Sequence, residues 1–389
     1  MTVVLAPDKF KGSLSAREVT AHLEAGIRTV APNVELVRIP VADGGDGTVD
    51  AAVEAGYRRV PVRATGPTGQ PVDTAYAERD GVAVVELADA CGLARLPGGE
   101  LAPLTASSQG FGEVVRAALD AGVHRVVLAV GGSASTDGGA GMLAALGARF
   151  LDEAGRDLPP GGAGLARLDR VDPSGLHPRL GDVEVLLASD VDNPLLGERG
   201  AATVYGPQKG ATTADVAVLE AALSRLSMAV DRATGRRGLA STPGAGAAGG
   251  VGFGAIAVLG AEPRPGIELL LELIGFHDHL PDARLVVTGE GSLDEQTLHG
   301  KAPAGVASAA RRAGVPVVAV AGRSLLTAQQ LAAVGVRRVY ALSDLQPDIA
   351  RSIAEAGPLL ERVGARLAGD WIAEGDSGVP SRVAEGRPG

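Results

Sequence analysis

The chain has 389 residues, 46% of them hydrophobic, with a formal net charge of −10 and one cysteine. That length asks for two domains rather than one core. Cys91 alone excludes disulfide stapling and a cysteine-rich metal site, and the acidic balance argues against nucleic acid or an anionic membrane as a partner.

The first expected elements are a strand over 3–6, a loop over 7–14 and a helix beginning after Ser15. Ser15 and Glu18 form an S-x-x-E capping box that marks the helix start. A second strand, 34–41, runs into Ala42-Asp43-Gly44-Gly45-Asp46-Gly47-Thr48 and a short helix. The texture then changes. Short strands at 60–64, 72–78 and 82–86, separated by Gly/Pro turns, predict antiparallel pairing. Strands at 124–130 and 183–189 follow, and 213–232 places Val216, Leu219, Leu223, Leu226 and Val230 on one helical stripe. In the last third, strands at 284–288, 315–321 and 337–342 alternate with helices at 302–313, 327–333 and 349–367. Such alternation implies an α/β fold with a mainly parallel sheet covered on both faces. The expected layout is one domain from both chain ends (1–62 plus 284–372), an inserted α/β domain (63–283) and a disordered tail (373–389). The longest apolar runs are far too short to span a membrane, and no basic segment precedes the first strand, so the expected location is cytoplasmic.

In parallel sheets, ligands bind beyond the carboxyl ends of the strands. Five unusual segments fall there: Asp8–Ser13, Ala42–Thr48, Gly131–Gly139, Ser189–Pro194 and Gly289–Asp294. The 131–139 segment (Gly131, Gly132, Ser133, Ser135, Thr136 and Asp137 among its residues) offers backbone N–H groups, hydroxyls and a helix start to an anion. A tight strand-to-helix connection is the plainer alternative. Gly244–Gly249 matches G-x-G-x-x-G, but no strand pattern precedes it, so close packing is preferred to nucleotide contact. Only four of the 36 basic residues are lysine, namely Lys9, Lys11, Lys209 and Lys301, all in loop-like segments. Their placement points to anion contacts, with chance on solvated loops as the plainer alternative. Asp190 and Asp192 alternate along an extended segment, so their side chains diverge. Asp190, directly after the strand, is the candidate base. Asp192, next to Asn193-Pro194, is better placed to satisfy turn N–H groups. Asp43, Asp46, Glu290 and Asp294 supply hard oxygen ligands that suit Mg²⁺ held together with substrate phosphates, although any one of them could cap a turn instead.

As a set, these motifs resemble the type I glycerate kinase family. The matching stretches are 6–14, 40–48, 131–141, 190–195, Tyr205-Gly206-Pro207-Gln208-Lys209-Gly210-Ala211 and 289–303, in order up to about residue 370. The resemblance implies a Rossmann-like domain carrying an inserted α/β domain, D-glycerate as acceptor, ATP with Mg²⁺ as donor, and phosphorylation at the 2-position. The candidate roles are then Asp190, Lys9 and Lys11 in catalysis, and Ser13, Asp43, Asp192 and Asn193 at the substrate. Gly131, Gly132, Ser133, Ser135, Thr136, Asp137, Lys209, Gly289, Glu290, Gly291 and Lys301 would serve the nucleotide and its phosphates, with Asp43 and Asp46 at the metal. Asp46 and Ser292 stand where the resemblance leads to Glu and Arg, and the second departure leaves one phosphate contact open. The alternatives are 3-phosphoglycerate as product, or an NAD-dependent hydroxy-acid dehydrogenase using the glycine loops. The expected partner is the small-molecule substrate, on a monomer or homodimer.

Overall fold

A computed structural model describes residues 1–299 and 301–373. Gly300 and the expected tail from 374 onward lie outside the described residues. The strands are β1 (Thr2–Pro7), β2 (Glu35–Arg38), β3 (Arg58–Thr65), β4 (Pro71–Arg79), β5 (Val82–Glu86), β6 (Arg125–Ala129), β7 (Arg149–Leu151), β8 (Arg170–Asp172), β9 (Glu184–Ala188), β10 (Glu262–Arg264), β11 (Ala283–Leu293), β12 (Val317–Ser324) and β13 (Val336–Ala341). The α-helices are α1 (Ala16–Val30), α2 (Thr48–Glu54), α3 (Leu87–Cys91), α4 (Gln109–Asp120), α5 (Ala140–Ala145), α6 (Ala201–Tyr205), α7 (Thr213–Thr234), α8 (Ala247–Gly254), α9 (Gly266–Leu273), α10 (Ala302–Arg312), α11 (Ala328–Ala333), α12 (Ile349–Ala354) and α13 (Ala356–Trp371). The chain divides into two compact units, Met1–Pro40 with the chain from His277, and Val41–Phe276. The first division falls earlier than 62/63, because α2 and β3 pack with β4 and β5 in the second unit, and the second falls at 276/277 rather than 283/284.

The first unit is built on a five-stranded parallel sheet in the order β13-β12-β11-β1-β2. Counted within the unit this is 2-1-3-4-5, a doubly wound order whose switch point lies between β1 and β11. Val3, Leu5, Leu285, Val287, Val318 and Val320 are buried on one face under α1 and α13. The helix α1 starts as its capping box requires: Ser15 Oγ accepts from Glu18 N, and the Glu18 carboxylate accepts from Ser15 N at 2.8 Å. The expected single helix over 349–367 is broken, with Glu355 outside helical geometry (φ −105°, ψ 18°) between α12 and α13. Pro358 is the physical reason. It has no N–H to continue the ladder, and it sits in the first turn of α13, where that loss is harmless.

The second unit has a six-stranded mixed sheet, β10-β9-β6-β5-β4-β3, and a separate β7-β8 pair. β3, β4 and β5 form an antiparallel meander, while β5, β6, β9 and β10 run parallel. In β6, Val126 and Leu128 face a core built with α4, α5, α7 and α8, while Val127 faces another with α2 and α9. A strand buried on both faces reads as a continuous apolar run, as this one does. The α7 stripe Leu219, Leu223, Leu226 and Val230 is buried in the first of these cores.

α1 and α13 cross with almost no side chain between them. A Cβ on Gly26 would collide with the Glu361 carbonyl, and one on Gly364 would lie 2.6 Å from the Leu23 carbonyl oxygen. Gly369, also on α13, has open space where its Cβ would be. Gly26→Ala should therefore lower stability by about 1–3 kcal/mol through overpacking. Gly369→Ala should raise it by up to about 1 kcal/mol through helix propensity. Melting temperatures moving in opposite directions verify this crossing, and a stabilising Gly26→Ala would refute it.

Candidate active site

In the second unit, the loops after β5, β6 and β9 gather at one end of the sheet. Glu86, the last residue of β5, is buried, and its two carboxylate oxygens accept from Gly47 N and Val49 N, each at 3.0 Å. It thereby fixes the Asp43–Gly47 loop and the start of α2. Burial pushes its carboxyl up to about 7 against the pull of those two N–H groups. Gly131 N, after β6, donates to the Gly44 carbonyl at 3.1 Å. Asp43 is half-buried, with Oδ1 3.3 Å from Gly45 N, and Asp46 is exposed.

Asp190 follows β9. Its Oδ1 accepts from Gly266 N at 2.7 Å and Ile267 N at 3.4 Å, at the start of α9, while its buried Oδ2 has no partner. Burial, then the neighbouring Asp43 charge, raises its carboxyl to about 7. A carboxylate oriented by one oxygen and left open at the other can take up a proton near neutral pH. Asp192 is different. It is exposed and pairs with Arg199 at 2.8 Å, so the turn N–H role expected of it falls to Asp190 at α9. Asn193 is the residue that locks the turn: Nδ2 donates to the Arg199 carbonyl (2.8 Å) and Oδ1 accepts from Tyr205 Oη (2.6 Å).

The 131–139 loop is largely enclosed. Ser133, Ser135, Thr136 and Asp137 are buried, while Gly132 is exposed and Gly131 half-buried. The Asp137 carboxylate accepts from Ser108 N, Ser108 Oγ, Gly139 N and Gly141 N at 2.8–3.2 Å, capping α5 and fixing the start of α4. Lys209 lies beneath the loop, its Nζ donating to Ser133 Oγ at 2.7 Å and the Ser135 carbonyl at 2.5 Å. Burial lowers its ammonium to about 7. Asp137 and Lys209 thus hold the loop from inside. Gly244–Gly249 packs closely too: a Cβ on Gly249 would lie 2.7 Å from Thr136 Cα, and Gly249 O accepts from Gly138 N at 3.0 Å. Ala248, Gly249 and Gly250 are all left-handed, which bends the chain into that contact.

The first unit gathers its candidates at the switch point. Phe10 is buried and closes a turn with Leu14, so Lys9 (half-buried) and Lys11 (exposed) flank an anchored residue just past β1. Ser13 Oγ donates to the Ile353 carbonyl at 3.0 Å. The segment 289–293, expected as a loop, continues β11 in register with β12 as far as Leu293↔Ser324. Glycine permits this: a Cβ on Gly291 would be 3.2 Å from Lys11 N, and one on Gly289 would strike the Val320 carbonyl. Glu290 accepts from Thr297 Oγ1 at 2.6 Å, Asp294 Oδ1 accepts from Gln296 N at 2.9 Å, and Lys301 is the residue that opens α10. Ser292 Oγ receives a hydrogen bond from Arg323 Nε of β12 at 3.1 Å, so a guanidinium stands beside that position, supplied by the next strand.

The Glycerate kinase family model matches residues 3–372. The chain belongs to the glycerate kinase family. It is similar to the glycerate kinase of Halalkalibacterium halodurans, 43% identical over 94% of this chain and 97% of that one. It is also 43% identical to the glycerate 2-kinase of Escherichia coli, over 83% of this chain and 85% of that one. A crystal structure of a protein provisionally named glycerate kinase 2 from Salmonella typhimurium LT2 aligns at TM-score 0.83 and 40% identity, covering 97% of this chain and 99% of that one.

As a member of this family the chain is a kinase, and no helix among the described residues is long and apolar enough to cross a membrane. Two residues of the site carry no signal in the sequence. Glu86 ends an apolar strand and Arg323 is one arginine in an arginine-rich chain, and only the neighbours supplied by folding single them out. Asp137 was read as a phosphate contact, yet its carboxylate already accepts from four protein donors. Asp137→Asn should destabilise by on the order of 3 kcal/mol, since an amide would set N–H against N–H. The KM for ATP of the folded fraction should stay within about threefold. A normal melting temperature with a raised KM would return Asp137 to the ligand.

Proposed function

We propose that this kinase transfers the γ-phosphoryl group of ATP to the 2-hydroxyl of D-glycerate, giving 2-phosphoglycerate and ADP. The observation that carries the reading is Asp190, with one oxygen held by two backbone N–H groups and the other buried and unpartnered. In the reaction the hydroxyl oxygen forms the new bond to phosphorus, the bond to ADP breaks, and the hydroxyl proton passes to Asp190 Oδ2. Such transfers depend mainly on positioning and charge neutralisation. In the first unit, Lys9 and Lys11 are assigned to the substrate carboxylate and the transferring phosphoryl group. The 2-position is supported by the name of the 43% identical Escherichia coli relative.

A magnesium ion fits the donors present. Asp43 and Asp46 offer hard oxygens, and the described residues include no group of three or more His, Cys, Asp or Glu side chains that could cage a metal by themselves. That suits an ion held chiefly by nucleotide phosphates, with Asp43 and Asp46 as its protein ligands. When bound, it would supply charge neutralisation on the phosphate oxygens. Asp190 keeps the proton, and Glu86 holds the loop that carries both aspartates.

ADP release coupled to D-glycerate, with the product identified by NMR, tests the reaction and its position. Because Asp190 must be ionised, kcat should fall about tenfold per pH unit below about 7. Asp190→Asn should lower kcat by roughly 10²-fold and abolish that limb. Its stability should not fall at pH 8: the native carboxyl titrates near 7, above the ordinary 3.8, so the ionised form costs stability there and the amide does not. Asp192→Asn, at an exposed pair, should leave stability within about 0.5 kcal/mol. Lys9→Ala and Lys11→Ala should cost about 10²–10³ in rate without unfolding. Near-normal rates for both lysine variants would remove them from the site.

A further inference from the structure

We infer that Arg323 is a binding residue for the phosphate chain of the nucleotide, a role that rests on the kinase reading above. β1 ends where Pro7 pairs with Gly289, but β11 and β12 continue paired for four more residues of β11, to Leu293↔Ser324. Ser292 and Arg323, partners in that register, therefore stand beyond the carboxyl end of β1 on the side where doubly wound sheets receive ligands. The extension lies against the lysine loop. A Cβ on Gly291 would be 3.2 Å from Lys11 N, and a Cβ on Gly322 would be 2.5 Å from the Gly291 carbonyl oxygen. Arg323 is thus adjacent to a glycine that touches a second glycine, which in turn touches Lys11.

Its side chain is prepared for an anion. Nε donates to Ser292 Oγ at 3.1 Å, which sets the plane of the guanidinium and leaves the two terminal nitrogens for a ligand. Arg323 is exposed and forms no salt bridge among the described residues, although most arginines placed in hydrogen bonds here face a carboxylate or a carbonyl. The nearest acid on its strand partner, Glu290, accepts from Thr297 at 2.6 Å. A planar fork held at one nitrogen suits two phosphate oxygens. Lys9, Lys11, Lys301 and Arg323 share the carboxyl ends of β1, β11 and β12 with Asp8, Glu290, Asp294 and Glu295, so it is the fork geometry of Arg323, not net charge, that favours phosphate.

The test uses the full chain with Arg323→Ala, Arg323→Lys and Ser292→Ala. ATP binding is measured by calorimetry without glycerate, both KM values by ADP release, and folding by thermal melting. Arg323→Ala should weaken ATP binding and raise the KM for ATP by about 10–100-fold with the melting temperature unchanged. Arg323→Lys should recover only part of this, because the charge returns without the fork. Ser292→Ala should cost about 2–5-fold through lost orientation. An effect confined to the KM for glycerate would overturn the phosphate assignment, as would an Arg323→Ala variant within twofold of the parent in ATP binding. Because calorimetry needs no turnover, failure of the parent to release ADP with D-glycerate would refute the kinase reading separately.

Discussion

Buried carboxylates that accept backbone N–H groups hold the strand-end loops of the second unit in place. A loop at the end of a sheet leaves N–H groups without ladder partners, and a buried carboxylate needs donors, so each removes the other's cost. Glu86 does this for the Asp43–Gly47 loop, Asp137 for the starts of α4 and α5, and Asp190 for the start of α9. Asp190 differs in one respect. Its second oxygen is buried and receives no hydrogen bond, so the same arrangement leaves one acceptor unused there.

Lys9, Lys11 and Lys209 show how one residue type divides by environment. Lys209 is enclosed beneath the 131–136 loop, where burial lowers its ammonium to about 7. Its unfolded counterpart stays protonated to about 10.5, so the native state binds fewer protons between these values and the cost of burying Lys209 declines as pH rises through that window. Lys9 stays half-buried and Lys11 exposed because Phe10 between them takes the buried place. A short loop with one apolar residue between two cations can turn in only one of them.

Glycine has a comparable double use. At Gly26 and Gly364 its missing side chain brings α1 and α13 into backbone contact, joining the two ends of the chain within one unit. At Gly291 and Gly322 it lets β11 and β12 run on beneath the Lys11 loop. In sequence these positions look alike. What each glycine permits depends on the backbone that approaches it.

Local pattern was enough for part of the elements. The Ser15–Glu18 capping box, the α7 stripe, the alternating strands and helices of the last third and the 60–86 meander all depend on neighbours a few residues apart, so each could be read along the chain. The motif set likewise carried the family, because spacing within loops is a property of sequence. Strand order and the prolonged β11 needed the fold, since they follow from which strand lies beside which, whereas the split before α13 is marked in the sequence by Pro358. The individual roles needed it most. Lys11 and Lys209 are the same chemistry in one dimension, and position after the strand set Asp190 apart from Asp192 without showing that Asp190 is the one that accepts backbone N–H groups. Burial and the direction of nearby N–H groups separate them, and those are set by segments tens of residues away, such as α9 for Asp190 and the 133–135 loop for Lys209.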